Sequence, residues 1–361
     1  MKPITLLIAI LLSTYISCKS KEEWKSRSIY QILTDRFART SDTGNCNYYN
    51  YCGGNYRGII QHLDYIKGMG FDAIWISPIV ENTDGSYHGY HLTNLYNLNS
   101  HFGTEDDLKA LISACHEKDI WVMVDVVANH VGPIGTDYSR IYPFNSADHY
   151  HDRCDIYHLD SVFNYPLYYT IESSFCGSFR NLEGYWFNSR NKYPAPEYTA
   201  TFVENHDNPR FLNRCNDRNK FTNAVVFSLL WEGVPVFYYA GEQYYAGGAD
   251  PNNREPLWDN YNTNSDLYKI LTKVHALRKQ VNIWNLEIVQ RYADDNFYSF
   301  SRGNVLACFT NTNGLQRSIT YHSFNEGDKL CNILSDNDCV SVSGGSININ
   351  MGALPKVYVK Q

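Results

Sequence analysis

Apolar residues in this chain alternate between short strand-length runs and stretches with helical spacing. Asn55 to Gly70 sets Ile59, Ile60, Leu63 and Ile66 on one helical face. Phe71 to Pro78 follows as an apolar run, the pattern of a parallel strand covered on both faces. Thr104-Glu105-Asp106-Asp107 opens the next helix with a near capping box, and that helix is predicted to run to about Lys118. Trp121 to Ala128 is a further buried strand. Phe202 to Asn205 and Val234 to Ala240 read as strands, and helices are expected near 223–231 and 266–279. Strands alternating with helices imply a parallel α/β sheet. From about Glu287 the pattern becomes short alternating runs joined by Gly/Asn turns, such as Asn296 to Phe300, Val305 to Phe309, Ser346 to Asn350 and Lys356 to Val359. That is the pattern of a small antiparallel β-sandwich.

Two of the predicted strands end in unusual polar tips. Val124-Asp125-Val126-Val127-Ala128-Asn129-His130 closes one, and Thr201-Phe202-Val203-Glu204-Asn205-His206-Asp207-Asn208-Pro209-Arg210 closes another. In parallel barrels the carboxyl ends of strands carry the chemistry. Read singly, each tip is equally a strand ending in capping residues. Tyr87-His88-Gly89-Tyr90 lies between them. Together these segments resemble short motifs of the α-amylases, glycoside hydrolase family 13, with the fungal secreted type as the best match. Arg27 to Ala38 resembles that family's first strand, Leu63 to Phe71 the approach to its second, and Tyr244 to Arg254 the loop after its last. The resemblance covers roughly residues 25 to 361 with one gap.

The gap falls on the chemistry. The family's nucleophile is the Asp of a G-x-R-x-D motif at the tip of the fourth strand, and its general acid is a Glu at the tip of the fifth. Neither motif is present. The chain follows the family to Cys154 and resumes at about Asp160, in what resembles the sixth strand. The absent stretch is on the order of ninety residues, or about three βα units. The resemblance therefore implies a (β/α)8-type TIM barrel lacking about two strands, plus a C-terminal antiparallel β-sandwich. The expected organisation is a signal peptide at 1–20, a barrel at 21–286 holding the remnant of an inserted small domain at 131–158, and the sandwich at 287–361.

Composition adds compartment and substrate class. A net charge of −7 without a basic patch argues against nucleic acid. Thirty Tyr and seven Trp suit the stacking of rings on sugars, although they also serve interiors. Lys2 followed by the apolar stretch from Ile4 to Ile16 reads as a secretory signal too short to span a membrane, ending near Cys18 or Ser20. A lipid-attached Cys18 is the alternative, which Tyr15 and Ile16 fit poorly. No later stretch is long enough to span, so a secreted, extracellular protein is expected, with no membrane attachment after cleavage. Ten cysteines agree with an oxidising compartment. Cys331 and Cys339 bracket a polar turn and could pair locally. By resemblance Cys46 and Cys52 form a disulfide, while Cys154 has lost its partner to the gap.

By the same resemblance, Asp207 is the third carboxylate of the site, which stabilises the transition state. His88, His130 and His206 meet sugar hydroxyls, Tyr90 stacks under the sugar, and Asp250 and Arg254 clamp a neighbouring one. The Trp that often follows Tyr90 in relatives is His91 here. Asn129 corresponds to a calcium ligand, but its usual co-ligands fall in the gap, so calcium binding is expected to be weak or lost. Asp125 reads as a structural tip residue. Arg153-Cys154-Asp155 imitates part of the nucleophile motif without the apolar run a strand needs. Glu172 is expected in a helix, and Glu204 in or behind the barrel wall. The expected partner is an α-glucan: starch, glycogen or maltooligosaccharides. The family cuts internal α-1,4-glucosidic bonds with retention, and this chain, lacking nucleophile and acid, is expected to be inactive or severely impaired. Two accounts of that loss stay open. One is a truncated product, through splicing or a gene-model error; the other is a secreted glucan-binding pseudoenzyme.

Overall fold

The computed structural model describes residues 19–41, 44–127, 130–132, 162–193 and 195–361. Its first part is built on strands β1 (Ile29–Gln31), β2 (Ala73–Ile76), the hairpin β3 (Val80–Asn82) with β4 (Leu92–Leu98), then β5 (Trp121–Val124), β6 (Ala200–Thr201) and β7 (Val234–Tyr238). Apart from the hairpin these form one parallel sheet in the order β5-β2-β1-β7-β6. Phe163 adds a further parallel bridge to Ala200. Six strand positions thus follow one another with β1 near the middle, the arrangement of a TIM-type barrel with two strands unplaced among the described residues. β1 and β7 are buried at every position, as expected for strands flanked on both sides and covered on both faces.

The helices follow local chemistry. Thr104 and Asp107 form a reciprocal capping box, and Leu108, Leu111 and Cys115 make the buried stripe of Glu105–Glu117. The helix expected across 55–70 is instead two, Tyr56–Gln61 and Leu63–Gly68, broken at His62. The His62 ring stacks on Tyr261 at 3.7 Å and meets the edge of Phe37, so tertiary ring contacts are made where the helix breaks. The helix Arg218–Leu230 is buried at every residue from Phe221 onward. It lies between the parallel sheet and the C-terminal strands.

Those strands are β8 (Ile288–Ala293), β9 (Phe297–Arg302), β10 (Val305–Thr310), β11 (Leu315–Ile319), β12 (Lys329–Asn332), β13 (Cys339–Ser343), β14 (Ser346–Met351) and β15 (Lys356–Lys360). They form one antiparallel order, β11-β14-β13-β12-β15-β10-β9-β8. The sheet folds over a core that includes Phe297, Leu306, Leu330, Val342, Ile347 and Tyr358. Its join to the barrel is polar as well as apolar. Arg302 donates to the carbonyls of Leu230 (3.2 Å) and Trp231 (2.7 Å) at the end of the buried helix, and Arg278 donates to Leu229 O. Asn223 on that helix donates to Ala353 O and accepts from Thr310 N.

Cys46–Cys52 and Cys331–Cys339 are disulfides, and so is Cys176–Cys215, which the sequence reading did not pair. Cys115 and Cys308 are buried thiols. Cys154 and its neighbours Arg153 and Asp155 lie outside the described residues, as do Asn129 and most of 131–158.

Candidate active site

The carboxyl ends of β1, β2 and β5 and the segment after β6 converge on one cluster. The strand expected at 202–205 lies two residues earlier, at Ala200–Thr201. Beyond it the backbone turns away and its groups are taken by side chains. Asn253 Nδ2 donates to the carbonyls of both His206 and Asn208 at 2.8 Å, and Arg254 Nε donates to His206 O at 3.1 Å. Asn205 Oδ1 accepts from Asp207 N (3.1 Å) and Asn208 Nδ2 (2.9 Å). This turn holds His206 inward and leaves the Asp207 side chain 56% exposed.

His206 Nδ1 lies 3.0 Å from the side-chain amide of Gln31 at the end of β1. With the amide as donor, the imidazole proton sits on Nε2, 3.3 Å from Asp207 Oδ1. Burial lowers the His206 pKa to about 4; the Asp207 charge opposes this and does not overcome it. The Tyr90 ring is nearly parallel to His206 (5.2 Å, 12°) and to His88 (5.6 Å, 17°). Its hydroxyl donates to Asp125 Oδ2 at 2.8 Å, and Trp75 Nε1 donates to the same oxygen at 3.2 Å. Burial raises the Asp125 pKa, with the charge of Asp207 adding to it against these two hydrogen bonds.

The turn between β3 and β4 sets His88 beside Tyr90. Gly89 has φ +88°, and a Cβ there would come within 2.9 Å of Pro78, so this reversal requires glycine. His88 Nδ1 accepts from Tyr90 N at 3.0 Å, and burial, then the neighbouring His91 and Arg254, lowers its pKa to about 3. His130, exposed, places Nε2 2.9 Å from Tyr90 O. Arg254 also donates to Tyr87 OH (3.2 Å) and pairs with Asp250 at 3.0 Å.

All the residues singled out for substrate or catalysis that the structure describes therefore meet: His130, Tyr90, His88, His206, Asp207, Arg254 and Asp250. Gln31, Trp75, Asn205 and Asn253 belong with them and were not singled out. An inward polar residue at the end of β1 was the available signal for Gln31. Of the carboxylates weighed as substitutes, Glu204 is buried, accepting from Phe211 N at 2.8 Å and facing Arg210 Nη1 at 3.3 Å. Glu172 sits on the helix Tyr165–Phe175 and pairs with Arg214. Asn129, matched to a calcium ligand, lies outside the described residues.

The α-amylase catalytic-domain family matches residues 31–155 and 158–287. This chain belongs to the α-amylase family. It is 33% identical to an α-amylase of Saccharomycopsis fibuligera, over 94% of this chain and 92% of that protein. It is 30% identical to α-amylase 1 of Schwanniomyces occidentalis, over 94% and 90%. Among solved structures, an α-amylase from Malbranchea cinnamomea superposes with a TM-score of 0.88 at 30% identity, covering 95% of this chain and 98% of that one. Two features of these matches bear on the gap. The family match breaks between residues 155 and 158. The alignment with the Saccharomycopsis protein runs over 457 positions, more than the 361 residues of this chain, so that relative carries residues with no counterpart here.

Proposed function

We propose that this α-amylase-family chain is a secreted protein directed at α-1,4-glucans, and that as its sequence stands its hydrolytic step is severely impaired. A retaining glycosidase needs two carboxyl groups about 5 Å apart across the scissile bond, one as nucleophile and one as acid. The observation that carries the reading is the inventory of carboxylates in the described cluster. Asp207 is exposed, but Asp125 is tied to Tyr90 and Trp75, and Asp250 to Arg254. No free pair remains for nucleophile and acid. The break in the family match and the length of the alignment with the Saccharomycopsis α-amylase support an internal loss that takes both motifs. Losing both removes contributions that each amount to orders of magnitude in rate.

Glucan recognition rests on what is left: the Asp207 carboxylate and the hydroxyl-seeking groups of His130, His206 and Arg254. The space among Gln31, Trp75, Tyr90, Asp125, His206 and Tyr238 does not admit a water molecule, so a sugar ring has to sit outside it. Affinity for maltooligosaccharides is accordingly expected to be millimolar or weaker. Secretion is supported by the three disulfides. Among the described residues no helix is long and apolar enough to cross a membrane.

The test is release of reducing ends from soluble starch, with maltoheptaose titration alongside. No turnover above a buffer control is expected. Robust turnover that disappears in Asp207→Asn would overturn the proposal. Micromolar maltoheptaose binding that vanishes in Tyr90→Ala would favour a dedicated glucan-binding protein.

A further inference from the structure

Sharing Trp75 with the site cluster, the inner face of the parallel sheet holds a half-open pocket of about 390 Å3. That lies within the range of small-molecule sites, about 300–1,000 Å3. Its walls are inward positions of successive strands: Ile29 of β1, Trp75 of β2, Met123 of β5, and Val234 and Val236 of β7. Trp24, from the helix Lys21–Lys25, and Phe163 complete them. Val162 and Phe163, 40% and 41% exposed, mark the flank on the solvent side. The apolar part of this lining lacks dispersion contacts on its open side.

The charged side chains among the described lining residues are cations. This described lining includes Lys19 and Lys21 and no Asp or Glu. Lys19 Nζ also reaches Glu23 at 3.0 Å, with both side chains about half exposed, whereas Lys21 Nζ lies 5.1 Å from the Tyr198 ring and has no carboxylate partner among the ion pairs of the described residues. Lysine stems lie along apolar surface while the ammonium stays at the water boundary. We propose that this pocket is a binding site for an amphipathic carboxylate, its alkyl tail among Trp24, Trp75, Met123 and Val236 and its head at Lys21. Occupancy adds the missing contacts and stabilises the fold in proportion to ligand concentration over its dissociation constant.

The experiment uses the full chain, with sodium decanoate below its micellar concentration followed by calorimetry and thermal melting. Decanol and decylamine are the controls. The expected result is one decanoate per chain with a raised melting temperature, decanol about fivefold weaker, as one partly exposed ion pair allows, and decylamine weaker still. Lys21→Gln is expected to bring decanoate to the level of decanol. Ala200→Phe, projecting into the cavity, is expected to abolish binding of both while circular dichroism reports an intact fold; if that variant fails to fold, Met123→Trp takes its place. Absence of saturable binding, several decanoates per chain, decanol binding as tightly as decanoate, or binding untouched by a folded cavity-filling variant would each overturn the proposal.

Discussion

An inner strand of the parallel sheet, β7, and its edge strand, β5, differ sharply. On the β7 side every strand residue is buried, and Trp231 at the end of the adjoining helix is 1% exposed, packed against Phe227 (4.7 Å) and Phe300 (5.4 Å). On the β5 side all four strand residues are only partly buried, and Val126 just beyond is 74% exposed. Trp121 there is held by the edge of Trp24 at 5.1 Å and by the Arg27 guanidinium at 3.9 Å. Both strands are comparably apolar in sequence. What separates them is the presence of neighbours, so burial in a barrel strand belongs to the ring rather than to the strand. The site inherits the contrast. Asn253 and Arg254 follow the inner strand β7 and hold His206, while Asp125 and His130 follow the edge strand β5.

The strongest way to test this contrast is paired truncation. Trp231→Ala is expected to cost about 3–5 kcal/mol, as for deletion of a large aromatic from a packed core. Trp121→Ala is expected to cost less than half as much, because its ring already meets solvent. Urea unfolding of both variants measures the difference, and equal losses would mean that the β5 flank is as well packed as the β7 flank.

Most of this organisation was legible in the residues. The apolar runs at 71–78, 121–128 and 234–240 contain β2, β5 and β7, and the capping residues Thr104 and Asp107 mark a helix start to the residue. The side chains of the short motifs lie together in the structure, because motifs at strand tips fix position and orientation at once. Three features were not legible, for related reasons. The break at His62, the early end of β6 and the Cys176–Cys215 disulfide all depend on partners remote in sequence: Tyr261 for the first, Asn253 and Arg254 for the second, and a loop-to-helix approach for the third. Local periodicity carries no information about such contacts.

A second difference between the flanks is electrostatic. Behind β1 and β7, Glu242 is fully buried, with Oε1 accepting from Tyr30 and Tyr65 hydroxyls at 2.8 Å each and Oε2 without a partner among the described residues. Burial raises its pKa above the ordinary 4.5, against the two hydroxyls and the more distant Arg210. The folded state therefore holds a proton that the unfolded chain releases. This contribution to stability is complete below about pH 4.5 and is lost as pH rises through the folded value, with a slope of at most about 1.4 kcal/mol per pH unit. Glu242→Gln is expected to flatten that slope in urea melts taken from pH 4 to 8; an unchanged slope would show that the carboxyl ionises without cost.

The smallest effect is expected at the rim. Asp250 is about half exposed where it meets Arg254, and Arg254 keeps His206 O and Tyr87 OH without it. Asp250→Ala is expected to cost less than about 1 kcal/mol, measured by the same unfolding assay. A larger loss would move this pair from the rim into the framework of the site.

The arginine contacts at the end of the buried helix bear on where this molecule can be divided. Leu229, Leu230 and Trp231 present carbonyls to which no further helical turn donates, and the guanidinium that meets two of them, Arg302, is borne on the antiparallel sheet. A cut near residue 287, where the hydrophobic pattern changes, would leave one fragment with unanswered carbonyls and the other with a cation facing an apolar surface. Genetic exchange or protein engineering that treats the two sheets as interchangeable modules has to transplant Arg302 together with the helix end it serves.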